Sequence, residues 1–265
     1  MIRPLFTLAR VLLFWFCCAA SLALFSPLTR DLPGPWPQLL SILPAVASAL
    51  GLSLLFIRWE KLSLPDIGLL PGRRTLSHLL TGLLTGSVLV TFQFLVVLTG
   101  GHLKIVRSPE AGFITIGSNL LLFLLVACRE EIAFRGYPLR SLDRTAGRLT
   151  AQLVVAALFI AEHVVGGMTW PGAIIGAGMG AWLFGLAALR SKGIALPIGI
   201  HTAWNFGQWA WGLKSGNGIY KVIIEKGYEA RAEQLGWLGF VVAMGSAIVI
   251  LYYRKDDAHE RIPQC

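Results

Sequence analysis

The residues of this chain that could do chemistry fall in three short clusters. The run Cys128-Arg129-Glu130-Glu131-Ile132-Ala133-Phe134-Arg135-Gly136 carries two adjacent carboxylates and two guanidiniums, while Phe159-Ile160-Ala161-Glu162-His163 and His201-Thr202-Ala203-Trp204-Asn205 each carry a histidine. On a helix, Glu131 and Arg135 lie four apart in the favourable acid-first order and pair on one face. Glu130, turned by about 100°, is then free to face something else. Phe159 lies one turn from His163, and His201 one turn from Asn205, so each helix offers one polar stripe. Converging stripes would make a pocket. In it, Glu130 with His163 could hold and deprotonate a water aimed at a carbonyl carbon. His201 and Asn205 could donate hydrogen bonds to the oxyanion that develops. Arg135 would fix Glu131, so that two neighbouring carboxylates do not act on each other uncompensated. The chemistry this set suits is hydrolysis of a peptide bond by activated water, with no covalent intermediate.

Other hydrolytic chemistries fit less well. None of the five histidines belongs to a His-Glu-x-x-His helix, and there is no Gly-x-Ser-x-Gly elbow. Cys128 is two positions from Glu130 and points roughly the opposite way, which makes it a poor nucleophile. The favoured mechanism requires no cofactor. The alternative is a divalent metal such as zinc held by Glu131, His163 and His201, since carboxylate and imidazole are suitable ligands. As a structural device alone, the Glu130, Glu131 and Arg135 stripe would be a buried ion network, but such a network needs no histidines and Asn from other helices. A rival of another class is a proton relay or transporter, or a non-proteolytic membrane scaffold. The lack of an evident inverted repeat argues against a secondary transporter.

The elements that must position these residues are membrane helices. Of 265 residues, 55% are hydrophobic and only 14% charged, against roughly 25% charged in a soluble domain. With a mean hydropathy of +0.67, this is the composition of an all-α polytopic bundle forming one membrane domain over 1–265. Eight stretches approach the ~20 apolar residues that a span needs: about 5–25, 39–57, 77–99, 112–134, 149–165, 171–189, 194–211 and 235–253. A charge at the bilayer centre costs roughly 2.5–3.5 kcal/mol. The clusters in the fourth, fifth and seventh spans are therefore functional by default. Gly172, Gly176 and Gly180 in the sixth offer a small-residue face for close helix packing. His78, His102 and His259 lie near span ends as ordinary interfacial residues, and Glu162 points off the His163 face.

The surplus of nine cations reports orientation rather than nucleic acid. Arg3, Arg10, Arg58, Lys61, Arg73, Arg74, Arg140, Arg144, Arg148, Arg190, Lys192, Arg254, Lys255 and Arg261 place both termini in the cytoplasm, with Lys104, Arg107, Lys214, Lys221, Lys226 and Arg231 dissenting. Compact loops favour a bacterial cytoplasmic (inner) membrane. The first span competes with a signal peptide, having small residues at Ala19, Ala20 and Ser21. Cys17, Cys18, Cys128 and Cys265 show no disulfide or zinc spacing, and terminal Cys265 is not a lipidation box. The loop from Leu213 to Gln234 is a partner site or a connector.

Depth can be checked by arithmetic. The fourth and fifth spans run antiparallel, and Glu130 with His163 gives a midpoint near Gly147. The two share a plane only if the fourth helix continues past 134 towards Arg140 despite Pro138. Leu149 to His163 is ~21 Å of helix and Ile194 to His201 only ~10 Å. Tilt, or an amphipathic extension of the fifth helix, must absorb the mismatch and put the site nearer the cytoplasm.

Glu130-Glu131-x-x-x-Arg135, Phe159-x-x-x-His163 and His201-x-x-x-Asn205, in this order on three hydrophobic segments, resemble the signature of the CAAX-prenyl-protease and bacteriocin-processing family of intramembrane proteases. The resemblance covers about 112–211. It implies an eight-helix fold with a cytoplasm-facing cavity, Glu130 as the water-activating base assisted by His163, and His201 with Asn205 as the oxyanion site. The family was long described as metalloproteases, although its glutamate mechanism needs no metal. The substrate it implies is a membrane-anchored protein or a C-terminal or leader peptide, met in the lipid bilayer.

Overall fold

A computed structural model describes residues 2–33, 36–214 and 218–253. Long apolar stretches fold as α1 (Ile2–Thr29), α2 (Trp36–Glu60) and α3 (Thr75–Gly100), with Pro27 inside α1 and Pro44 inside α2. A three-residue turn of 3-10 helix (Pro65–Ile67) lies between α2 and α3. The fourth span is a composite. Helix α4 (Phe113–Glu131) passes through a π-helical turn, Ile132–Gly136, into α5 (Tyr137–Ala146). Pro138 has no N–H to give to the carbonyl four residues back, and its ring would clash there. The wider π turn accommodates it without ending the helix. The fourth helix thus runs well past 134, as the depth arithmetic requires.

Gly147, at φ 85°, makes the turn into α6 (Arg148–Val165). A one-turn α7 (Trp170–Gly172) and a second π turn, Ala173–Ala177, lead to α8 (Gly178–Ser191). These are followed by α9 (Ala195–Ala210) and α10 (Glu229–Tyr253). Among the described residues, seven helices are long and apolar enough to cross a membrane, and the chain is an integral membrane protein. The eighth expected span is α9, only 16 residues or about 24 Å long. Pro197, Gly199, Ile200, His201, Thr202, Ala203, Trp204, Gly207 and Trp209 are buried along it, so protein rather than lipid surrounds most of it.

The bundle has two ends. One carries the start of α1, the 61–74 loop, the Gly147 turn and the 191–194 turn. The other carries a two-stranded antiparallel ribbon, β1 (Leu103–Arg107) with β2 (Tyr220–Ile224), in register Ile105 opposite Val222. The 213–234 loop therefore holds a strand, with its dissenting Lys221 on the same ribbon as Lys104 and Arg107. His102 stacks on Tyr228 at 3.8 Å beside it. Arg254, Lys255, His259, Arg261 and Cys265 lie outside the described residues.

Close helix approach occurs at a different glycine pair from the one expected. A Cβ on Gly176 would meet nothing within 4 Å, and one on Gly180 only its own helix's Phe184. A Cβ on Gly82 of α3, however, would sit 3.0 Å from the Gly199 Cα and 2.9 Å from the Ile200 N of α9. One on Gly86 would be 2.9 Å from the Ala203 Cβ. The small-residue face that matters is Gly82 and Gly86 against Gly199 and Ala203, because the sixth span is locally unwound into a π turn at its glycines. This contact sets α9, and with it His201, against α3. Gly82→Leu is expected to cost about 3 kcal/mol or more by overpacking a backbone that cannot yield, with Gly176→Leu close to neutral. Thermal unfolding of the two variants in detergent tests this directly.

Helix α1 is built into the core. Val11, Phe14 and Cys18 are buried, and Phe14 packs 5.3 Å from Phe56 and 5.1 Å from Tyr137. Cleavage at the small residues would remove this packing. Near the same end Glu60 accepts from Arg10 at 3.2 Å, from the Tyr137 hydroxyl at 2.9 Å and from Ser141. Asp66 accepts from Ser63 and from Arg144, which hold its carboxyl down to about 2. These ties fasten α5 to the α2–α3 loop.

Candidate active site

The π turn and the helix before it aim α4 side chains in three directions. Arg129 points to α6 and α1: it pairs with Glu162 and donates to the Cys18 carbonyl at 3.4 Å. Glu162 in turn accepts from Trp15 Nε1 at 3.2 Å. Glu162 is thus the partner of Arg129, a pairing the sequence reading left unassigned. The Arg129–Glu162 contact also fixes the depth match of the two helices around the Gly147 turn.

Glu131 and Arg135 face the interior, both with fully buried side chains, and pair at 3.4 Å between Oε1 and Nη1. Three rings enclose the guanidinium: Phe159 at 4.5 Å, Phe184 at 5.4 Å and Phe134 at 5.6 Å. Nη2 donates to the Ala181 carbonyl at 3.4 Å. A desolvated cation over aromatic faces gains about 2 kcal/mol, which offsets part of the burial of a charge in the bundle. Phe159 therefore has two tasks. Its ring lies under Arg135, and its carbonyl accepts from His163 Nδ1 at 2.8 Å. A carbonyl can only accept, so Nδ1 carries the proton and Nε2 of the neutral ring is left as an acceptor.

His201 is held between two carboxylates. Its ring stacks on Phe184 at 4.6 Å, its Nδ1 donates to Glu131 Oε1 at 2.9 Å, and its Nε2 lies 3.7 Å from Glu130 Oε2. Spacing along the helix pairs Glu131 with Arg135. The Glu131 Oε1 serves Arg135 and His201 together, so the fourth helix and α9 meet on one oxygen. Asn205, half-buried one turn further, makes no hydrogen bond to another described residue.

The two glutamates differ in access. The Glu131 side chain is 0% exposed and that of Glu130 is 16%. Glu130 and Arg129 line a cavity of about 250 Å³ together with Leu22, Gln38, Ser41, Ile42, Leu122 and Val126. These residues come from the second half of α1, the first half of α2 and the stretch of α4 from its midpoint to Glu130, so the cavity opens from mid-bundle towards the end that carries the β ribbon. The expectation of an opening at the cation-rich end is not met for this cavity. There the Phe14, Phe56 and Tyr137 cluster and the Glu60 ties close the bundle. At the ribbon end the Lys214 ammonium lies 5.7 Å from the Phe123 ring and within electrostatic reach of Glu130.

Glu131, His163 and His201 do not form a ligand set. Among the described residues no group of three or more His, Cys, Asp or Glu side chains could hold a metal ion. His163 Nδ1 is taken by a carbonyl, and the paired Glu131 oxygen is shared by His201 and Arg135.

Residues 113–207, just over a third of the chain, match the family model described as Rce1-like, type II CAAX prenyl endopeptidase Rce1-like. This segment is similar to that family. No curated protein matches the chain. The Rce1-like segment runs from the first residue of α4 to Gly207 of α9 and contains every residue of the three clusters. Helices α1, α2, α3 and α10 lie outside it, yet α1 supplies partners of Glu162 and Arg129, and α3 backs the His201 helix.

Proposed function

We propose that the protein is an intramembrane endopeptidase that hydrolyses a peptide bond in a membrane-associated protein or peptide. The observation that carries this is the division between its adjacent glutamates. Glu131 is sealed, with its Oε1 serving Arg135 and His201, whereas Glu130 is partly exposed and lines a cavity; the Oε2 of each makes no hydrogen bond to a described residue. Glu130 takes a proton from water as the water oxygen bonds to the carbonyl carbon. His163, presenting Nε2, assists in holding that water. The Asn205 amide donates to the oxyanion, and His201 does so from Nε2 in its doubly protonated form, with Nδ1–H kept on Glu131. Collapse of the tetrahedral intermediate breaks the C–N bond, and the proton on Glu130 passes to the leaving amine. Glu131, Arg135 and Phe159 are positioning residues: the first two orient His201, and the third orients His163.

The mechanism routes no step through a metal. Cleavage of a membrane peptide by detergent-purified protein is expected to persist in EDTA and 1,10-phenanthroline. Loss of activity that added zinc restores would overturn this. In the same assay His163→Ala and His201→Ala are expected to abolish cleavage. Unchanged cleavage in both, or proton flux in liposomes that these variants abolish without any proteolysis, would replace the protease reading with a proton relay.

For localisation we propose a bacterial cytoplasmic membrane with the cation-rich end inside. The Glu130 cavity then opens towards the outer half of the bilayer, and substrates reach it from there.

A further inference from the structure

A second cavity, larger than the one at Glu130, lies elsewhere in the bundle. It measures about 920 Å³ and lies at the cation-rich end, between the 68–74 loop, the starts of α3 and α9 and the ends of α8 and α10. Its lining shares no residue with the three clusters. Arg73, Arg74, His78, Arg148, Arg190 and Lys192 stand around it, and no Asp or Glu lines it among the described residues. Four of these cations, Arg73, Arg74, Arg148 and Lys192, have no hydrogen bond or ion pair from their side chains to a described residue. Arg190 donates to the Tyr252 carbonyl at 2.7 Å. By contrast Arg10, Arg140 and Arg144 at this end are each partnered. Lys192 holds φ 56°, a conformation that Gly or Asn adopts more easily, yet the position carries a cation. The first turn of α9 opens into the same space, with the positive end of its dipole.

The walls are apolar. Leu69, Leu70, Leu189, Leu196, Ile198 and Leu251 line the cavity, and Leu70, Leu76, Leu80 and Ile250 continue outward as exposed side chains. Exposed Tyr252 and Tyr253 at the end of α10 mark the level of a membrane interface. A concave ring of cations at that level, in which Arg73, Arg74, Arg148 and Lys192 make no ion pair with a described residue, opens onto a lipid-facing apolar wall and matches one chemistry. It is that of an anion carrying acyl chains.

We propose that this cavity binds the headgroup of an anionic phospholipid. Arg73, Arg74, Arg148 and Lys192 hold the phosphate, and the chains lie along Leu70, Leu76 and Leu80. The occupant braces the start of α9, three residues before His201 from Ile198. The site is independent of the chemistry at Glu130.

Native mass spectrometry of the full chain in detergent, titrated with dioleoyl-phosphatidylglycerol or dioleoyl-phosphatidylcholine, tests this. Phosphatidylglycerol adducts are expected to be retained, and phosphatidylcholine adducts lost on gentle activation. Arg73→Gln, Arg74→Gln and Lys192→Gln singly should each weaken phosphatidylglycerol retention about fivefold. Arg58→Gln and Lys61→Gln at the same end but off the cavity should leave it unchanged. The single variants are exposed substitutions, and the melting temperature of each without lipid reports that it is folded. Equal retention of the two lipids, or equal loss in the off-cavity variants, overturns the proposal. So does inorganic phosphate displacing the lipid at equal concentration, which would make the acyl chains irrelevant. The rival occupant is the acidic stretch of the chain's own end. If phosphatidylglycerol binds only after Asp256→Asn, Asp257→Asn and Glu260→Gln are combined, that segment fills the cavity and the lipid reading fails.

Discussion

Glu130→Gln is expected to lower the rate of peptide cleavage by on the order of 10³-fold while leaving a folded protein. The amide keeps the volume of the carboxylate but cannot accept the proton that water must lose. Its fold tolerance follows from its surroundings. Glu130 lines a cavity, and its nearest ionic neighbour, His201 Nε2, stands 3.7 Å away, too far for a direct hydrogen bond. Cleavage of a fluorogenic membrane peptide by wild-type and variant protein, with melting temperatures measured alongside, checks both halves. Retained cleavage at wild-type rate would remove Glu130 as the base. A melting temperature far below wild type would mean that Glu130, like its neighbour, is structural.

The largest loss of stability is expected one residue away. Glu131→Ala strands the Arg135 guanidinium in a fully buried aromatic cage and takes the acceptor from His201 Nδ1. Breaking one side of a buried pair typically costs about 3–5 kcal/mol. Arg135→Met is expected to cost less. It leaves a buried carboxylate still hydrogen-bonded by His201, and a methionine fills the space between three rings. The double variant Glu131→Gln with Arg135→Met removes both charges and should recover much of the loss of Glu131→Ala. Thermal denaturation in one detergent, completed as a double-mutant cycle, measures the coupling. Additive effects would mean that the two side chains do not act as a pair.

How much of this was legible beforehand depends on the range of the interaction. The Glu131–Arg135 pair, the Phe159–His163 contact and the continuation of the fourth helix through Pro138 all follow from spacing along one helix or about one turn. They could be read from residue types alone. The His201–Glu131 bond joins residues 70 positions apart, and nothing in the local pattern distinguishes it from an oxyanion donor left free. Gly82 and Gly86 have the same four-residue spacing as Gly172 and Gly176. Only the facing backbone of α9 decides which of the two pairs is a contact. The ribbon strands, Leu-Lys-Ile-Val-Arg and Tyr-Lys-Val-Ile-Ile, do carry a β-branched signal, overshadowed by the surrounding membrane helices. The Glu162 partner was hidden because Arg129 belongs to a different helix and sits outside the three-residue motif.

The intrahelical Glu131–Arg135 pair also bears on how the protein is made. Synthesis runs from the N-terminus, so α4 reaches the bilayer before α6 and α9 have joined it there. At that stage Arg129, Glu130, Glu131 and Arg135 have only one another. Their formal charges cancel within seven residues, and one pair is already in register on the helix. A segment that would otherwise be rejected at roughly 2.5–3.5 kcal/mol per charge therefore arrives self-neutralised. It exchanges these temporary partners for α6 and α9 as they follow.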